Sequence, residues 1–139
     1  MFLVRLIYVS RKTDAFKPHD IEDILEKARK NNDRNQVTGL LCFSNDIFLQ
    51  CLEGSRTAVN LTYHNILKDP RHGDIVLLNY KEIIQRNFTK WSMGYIPDTS
   101  LTKELNTTYS GSGEFDPFEM HGDSCENMLN NIIQRIPVL

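Results

Sequence analysis

Five short stretches of the chain are apolar at nearly every position or at every second one: residues 3–10, 37–44, 47–54, 75–83 and 91–96. Each is rich in Val, Ile, Leu, Tyr or Phe and is bounded by Asn, Asp, Gly or Pro, which predicts five strands. Between the first two, "PHDIEDILEKARKNN" places Ile21, Ile24, Leu25 and Ala28 at the i, i+3, i+4, i+7 spacing of one helix face, with Pro18 suited to a first helical position. A second amphipathic segment, "TAVNLTYHNILKD", puts Val59, Tyr63 and Ile66 on one face and ends at Asp69-Pro70, where proline blocks continuation. The order βαββαββ, with a tight "SND" turn at 44–46, predicts an α+β ferredoxin-like sandwich. Its five-stranded mixed sheet would hold the third strand between the first and the second.

The first and third strands are then central, and both are almost continuously apolar, so both faces of the sheet need cover. The two helices cover one face. For the other, "SLTKELNTTY" and "SCENMLNNIIQRI" are predicted helices, the second carrying Met128, Leu129, Ile132 and Ile136 on one side. "SGSGEFDP" between them reads as a loop, too short to be a second folded unit. A single domain of 139 residues is long enough to bury roughly two-thirds of the surface of its unfolded chain.

Charge and composition narrow the function classes. The formal net charge is −2, and the 16 Lys and Arg residues are scattered among acidic ones rather than gathered into a stripe that tracks a phosphate backbone. Nucleic acid is therefore not an expected partner. No apolar stretch approaches the roughly 18 residues that span a bilayer. The start, "MFLVRLIYVS", is interrupted by Arg5 and lacks a basic flank and a small-residue cleavage site, so it reads as a strand and not as a signal peptide. A soluble cytoplasmic protein with no membrane partner is expected. Cys42, Cys51 and Cys125 form no CxxC pair, which suits reduced, buried thiols. His19, His64, His72 and His121 have no metal or triad spacing, and Asp46, Glu53 and Asp69 no paired-carboxylate logic; surface solvation accounts for most of them.

One polar residue stands out. Gln50 sits inside "IFLQCLEG", and a buried amide without partners costs roughly 2–7 kcal/mol in an apolar reference medium. Side chains alternate along strands, so Leu6, Tyr8 and Ser10 share one face of the first strand, and Phe48, Gln50 and Leu52 one face of the third. Paired as neighbours, these strands bring Tyr8 within reach of Gln50. Asn31 and Asn32 return two more amides toward the apolar stripe of the first helix. Together with Ile24 and Ile66 they describe a slot with apolar walls and hydrogen-bonding edges, suited to a flat heteroaromatic ligand. Each residue also has a purely structural reading: a satisfied core amide, a core tyrosine with its hydroxyl at the rim, a helix C-terminus.

In "RLIYVS" with Tyr8, "NNDRNQVTGLLCF" with Asn31 and Asn32, "FLQCLEG" with Gln50, "ILKDPRH" from Ile66 to His72, and "WSM" from Trp91 to Met93, the chain resembles a BLUF domain, a sensor of blue light using flavin. The resemblance covers residues 1–96, and the tail is similar to that of short single-domain BLUF photoreceptors of the PixD type. It implies a flavin-binding photosensor domain over 1–96, with 97–139 as a helical cap of the same unit. The implied cofactor is oxidised FAD, with FMN or riboflavin tolerated, its ring between Ile24 and Ile66. Asn31 and Asn32 would bond the pyrimidine edge and ribityl region, and Arg71 and His72 would lie near the C2 carbonyl and side chain. Phe48 and Asp69 match further pocket positions. Ala28 departs from relatives that carry a serine there, a change expected to alter absorption maximum or recovery rate rather than binding.

By the same resemblance, Tyr8 gives an electron and then a proton to the excited flavin, Gln50 rotates or tautomerises, and a changed hydrogen bond at the C4 carbonyl shifts the spectrum red until dark relaxation. Trp91 and Met93 share parity in the fifth strand and are the expected relay, although Trp91 also reads as simple core. No cyclase, phosphodiesterase or kinase signature follows residue 96, so the expected output is protein contact: a homo-oligomer and a light-dependent, response-regulator-like partner. Three rivals stand beside this reading. Arg71 with Asn31 or Asn32 could grip a phosphate as in acylphosphatase-like enzymes, the flavin could serve a redox enzyme, or the fold could be a ligand-free interaction module.

Overall fold

The apolar runs become strands where their lengths and boundary residues place them. In the computed structural model, which describes residues 2–139, Leu3–Lys12 forms β1, Asp20–Asn35 α1, Thr38–Ser44 β2, Ile47–Ser55 β3, Arg56–Leu67 α2, His72–Ile83 β4, Gly94–Ile96 β5, Lys103–Ser110 α3 and Gly122–Arg135 α4. The described residues build a five-stranded sheet in the order β4-β1-β3-β2-β5, antiparallel except for the parallel β2–β5 pair. This is the expected ferredoxin-like mixed sheet, with β3 between β1 and β2. Asn45 and Asp46 both take left-handed backbone, φ 53° and 63°, the pair of positive values that a two-residue hairpin of type I′ requires and that Asn and Asp tolerate.

Two local expectations change. Pro18 is not the first helical residue: it sits in a turn closed by Asp20 N donating to Lys17 O at 2.8 Å, and α1 starts two residues later. The fixed φ of proline suits the second position of such a turn equally well. β5 is also shorter than the apolar run that predicts it, beginning at Gly94, so Trp91 and Met93 precede the strand.

The sheet separates two cores. Val4, Leu6, Tyr8, Phe48, Leu52 and Val59 pack on the α1/α2 face, and Ile7, Val9, Leu49 and Cys51 on the opposite face against Met128, Leu129 and Ile132 of α4. Burying each large aliphatic side chain is worth about 1.5–3 kcal/mol, so packing on both faces of the sheet contributes to its stability. The three cysteines are free and buried, and burial pushes the Cys125 thiol up to about 12.

Inside the cap-face core lies a charged network. The β1–β3 register that sets Tyr8 opposite Gln50 also sets Arg5 opposite Glu53. Arg5 Nη2 lies 2.7 Å from Glu53 Oε2 and its Nη1 3.0 Å from Glu126 of α4. The Glu53 carboxylate also accepts from the backbone N–H groups of Asn87 and Phe88, at 3.0 and 2.8 Å. Glu53 is fully buried, which corrects its reading as a solvated surface carboxylate.

Candidate functional site

α1 turns one stripe toward a cleft beside the sheet: Ile24, Lys27, Ala28, Asn31 and Arg34 recur at steps of three and four. α2 faces it with Thr62, Asn65 and Ile66, and β1 and β3 supply the floor through Tyr8, Phe48, Gln50 and Leu52. Between them lies a cleft of about 460 Å³, within the roughly 300–1,000 Å³ typical of small-molecule sites. The cleft is lined by Tyr8, Gln50, Asn31, Asn32, Ile24 and Ile66, and equally by Phe48, Asp69, Arg71 and His72, so the structure brings all the residues assigned to ligand binding into one place.

At the floor, Tyr8 Oη donates to Gln50 Oε1 inside the buried core, and Gln50 Nε2 donates to Met93 Sδ at 3.5 Å. Gln50 is 4% exposed and Met93 1%, so water does not compete for either contact. Burial, and secondarily the charges of Tyr63 and Asp69, push the Tyr8 phenol far above the ordinary tyrosine range. The ring of Tyr63, on α2, lies 5.6 Å from that of Tyr8, centroid to centroid.

At the end of the cleft near the N-terminus of α1, the Arg71 guanidinium forks onto Asp69, with Nε 3.0 Å from Oδ1 and Nη2 2.7 Å from Oδ2, and its Nη1 reaches Asp23 of α1 at 3.0 Å. The hydrogen bonds from Arg71 hold the Asp69 carboxyl below the usual carboxylate range, against the upward push of burial. With both faces of its fork spent on carboxylates, Arg71 has little left to grip a phosphate, which removes the main support for the acylphosphatase-like alternative. His72 Nε2 lies 2.8 Å from the Ile66 carbonyl, which only accepts, so that nitrogen carries a proton; Nδ1 lies 2.8 Å from Ser10 Oγ.

Asn32 shows what the cleft lacks. Its Nδ2 donates to Ser92 O at 2.6 Å, whereas its Oδ1 is buried with no partner, a deficit of about 1–3 kcal/mol. A ligand N–H meeting that oxygen cancels the cost. The imide edge of a flavin carries such an N–H between two carbonyls, and the neighbouring Asn31 offers a donor for one of them. Ile24 of α1 and Ile66 of α2 add apolar surface to the same cleft.

The family model described as "Sensors of blue-light using FAD", BLUF, matches residues 3–94. The chain belongs to the BLUF family. BLUF relatives include the photoactivated adenylate cyclase subunit beta of Euglena longa, 32% identical over 108 residues, which are 77% of this chain and 12% of that protein. The blue light- and temperature-regulated antirepressor BluF of Escherichia coli (strain K12) is 37% identical over 91 residues, 66% of this chain and 23% of that protein. The chain thus spans only a small part of the length of these curated relatives. Among solved structures, the photo-activated state of BlsA superposes with a TM-score of 0.86 at 31% identity over 94% of both chains. The dark state of the BLUF protein BlrB superposes at 0.78, also 31% identical, over 95% of both.

Within this BLUF domain the structure separates two residues that sequence parity placed together. Met93 enters the cleft-side core, whereas Trp91 packs with the cap-face core. Residues 91–93 are not strand, so the alternation of side chains assumed for them does not apply. Lys27 and Arg34, which also line the cleft, were missed, although they continue the Ile24–Asn31 stripe and that spacing could have found them. No helix among the described residues is long and apolar enough to cross a membrane, and no group of three or more His, Cys, Asp or Glu residues among them could hold a metal ion.

Proposed function

We propose that this chain is a blue-light sensor, not an enzyme, whose switch is the buried Tyr8–Gln50 hydrogen bond. That bond carries the reading, because it gives the phenol proton a single acceptor shielded from water. A flavin in the cleft supplies absorption of blue light and, once excited, a strong one-electron oxidant. Tyr8 is the donor at the floor. A phenol that loses an electron becomes a strong acid, so its proton passes along the existing bond toward Gln50 Oε1. The amide then rotates or tautomerises, withdraws Nε2 from Met93 Sδ and offers the cleft a different hydrogen-bonding group. When electron and proton return to Tyr8, no net chemistry remains, but the amide is in its second arrangement: a small two-state element that relaxes in the dark.

FAD is the proposed flavin. Lys27 and Arg34 stand two helical turns apart at the cleft mouth, and Arg34 makes no ion pair among the described residues. Both would meet phosphate, which FAD and FMN carry and riboflavin lacks. In fluorescence titrations, Lys27→Ala and Arg34→Ala are each expected to weaken FAD and FMN about tenfold and leave riboflavin unchanged, in keeping with one charge-assisted contact at about 1.5 kcal/mol. Equal losses for all three would show that these cations do not read phosphate.

Residues 1–96 form the sensor and 97–139 its cap, and the Arg5–Glu53–Glu126 contacts between them support reading the cap as part of the same unit. The output is a homo-oligomer and a light-dependent, response-regulator-like protein partner in the cytoplasm. Relatives whose names pair light with an antirepressor or with a cyclase support the light dependence of that output. The deciding experiment is the visible spectrum of purified protein in the dark, after blue light and after recovery. A flavin band that moves red without bleaching and returns is expected; no shift in light, with bleaching only on addition of a reductant and turnover of NAD(P)H, favours a redox enzyme instead, and failure to take up any flavin favours a ligand-free module.

A further inference from the structure

The segment that carries Met93 into the cleft is held by α1 at two successive carbonyls. Asn32 Nδ2 donates to Ser92 O at 2.6 Å, and Arg29, one turn earlier on the same face, donates through Nε to Met93 O at 2.9 Å. The same edge of the Arg29 guanidinium reaches further: its Nη2 donates to the main-chain oxygen of Leu139 at 2.9 Å. Leu139 is itself docked on β5, its N–H donating to Tyr95 O at 3.0 Å and its oxygen accepting from Tyr95 N at 3.3 Å. Val138 lies so close to the backbone that a Cβ at Gly94 would come within 2.5 Å of its Cγ1. One side chain therefore spans the backbone of the residue touching Gln50 and the end of the segment that follows α4.

We propose that Arg29 is a positioning residue that ties Met93 to the segment Pro137–Leu139 beyond α4, so that loss of the Gln50–Met93 contact, by freeing Met93 to shift, loosens this segment from β5. The planar fork of arginine is fitted to this, since two donors at fixed spacing favour one relative placement of the two oxygens. If Met93 shifts, the fork keeps one acceptor and loses the other, and the Leu139–Tyr95 pair then holds the segment alone. Coupling of this kind is reciprocal: a detached segment weakens the hold on Met93 by the same free energy. The light-driven half rests on the switch proposed above, whereas the tie itself belongs to the dark state.

The test is amide hydrogen exchange at Tyr95 and Leu139, followed by NMR on the flavin-loaded full chain in the dark and under blue light, with the flavin spectrum recorded on the same sample. In the wild type, light is expected to accelerate exchange at both amides about fivefold or more, the lower end of ordinary coupling energies. Arg29→Gln is expected to exchange at the lit rate already in the dark, with little further response to light. Arg29→Lys, which keeps the charge but not the fork, is expected to fall between, and it serves if the glutamine variant folds poorly. A normal reversible red shift with no light-dependent exchange at these amides overturns this inference alone, as does an Arg29→Lys variant with full dark protection and a full light response. A wild type without any shift overturns the switch and this inference together.

Discussion

Tyr8→Phe retains flavin and loses the whole reversible red shift. The phenyl ring keeps the packing of the cleft floor, where Tyr8 is 3% exposed, and removes only the hydroxyl that donates to Gln50 Oε1. Binding is expected within about tenfold of wild type. Stability falls by about 1–3 kcal/mol, the usual cost of leaving a buried acceptor such as Gln50 Oε1 unpaired. The light response, in contrast, has no substitute donor on the same bond. Tyr63 has its ring 5.6 Å away on α2 but no hydrogen bond to Gln50, so any electron it gave would leave the amide's proton inventory unchanged. Difference spectra under blue light decide the matter. A shift of normal size and lifetime in the phenylalanine variant would show that the switch lies elsewhere in the cleft.

Glu53→Ala is expected to be the most destabilising single change outside the cleft. It leaves the Arg5 guanidinium, in a core where Arg5 is 5% exposed, with Glu126 as its remaining carboxylate, and it leaves the backbone N–H groups of Asn87 and Phe88 without their acceptor. Breaking a buried ion pair from one side costs about 3–5 kcal/mol, a large share of the 5–15 kcal/mol that holds a typical domain together. Adding Arg5→Met to the same chain removes the Arg5 charge and should recover part of that loss, while the two N–H groups keep the remainder. Urea unfolding of the two variants beside wild type measures both numbers. A single variant within 1 kcal/mol of wild type would mean that Glu126 and solvent take over the role of Glu53.

Much of this fold is legible because its elements obey simple periods. The continuous apolar runs of β1 and β3 announce strands covered on both faces, and the cap helices follow from that need. The cleft is legible through Gln50, an amide too costly to bury without a reason. The register that makes Tyr8 its partner also contains the buried ion pair, since in an antiparallel ladder the positions three before Tyr8 and three after Gln50 must face each other. Arg5 and Glu53 were legible on those terms, yet each taken alone reads as a break in an apolar run. Trp91 was not legible in the same way. Its placement depends on where β5 begins, and alternation along a strand says nothing about a residue that precedes the strand. The start of α1 fails for a related reason, because the fixed φ of Pro18 serves a turn and a first helical residue alike.

The chain has one tryptophan, and the structure sets it on the cap side of the sheet while Met93, two residues on, sits on the flavin side. A single sample therefore carries two natural optical reporters separated by one layer of strands. Visible absorbance follows the cleft, and indole emission follows the packing of the cap. Timing one against the other after a light pulse gives the order in which the two halves of the molecule rearrange, with no label attached.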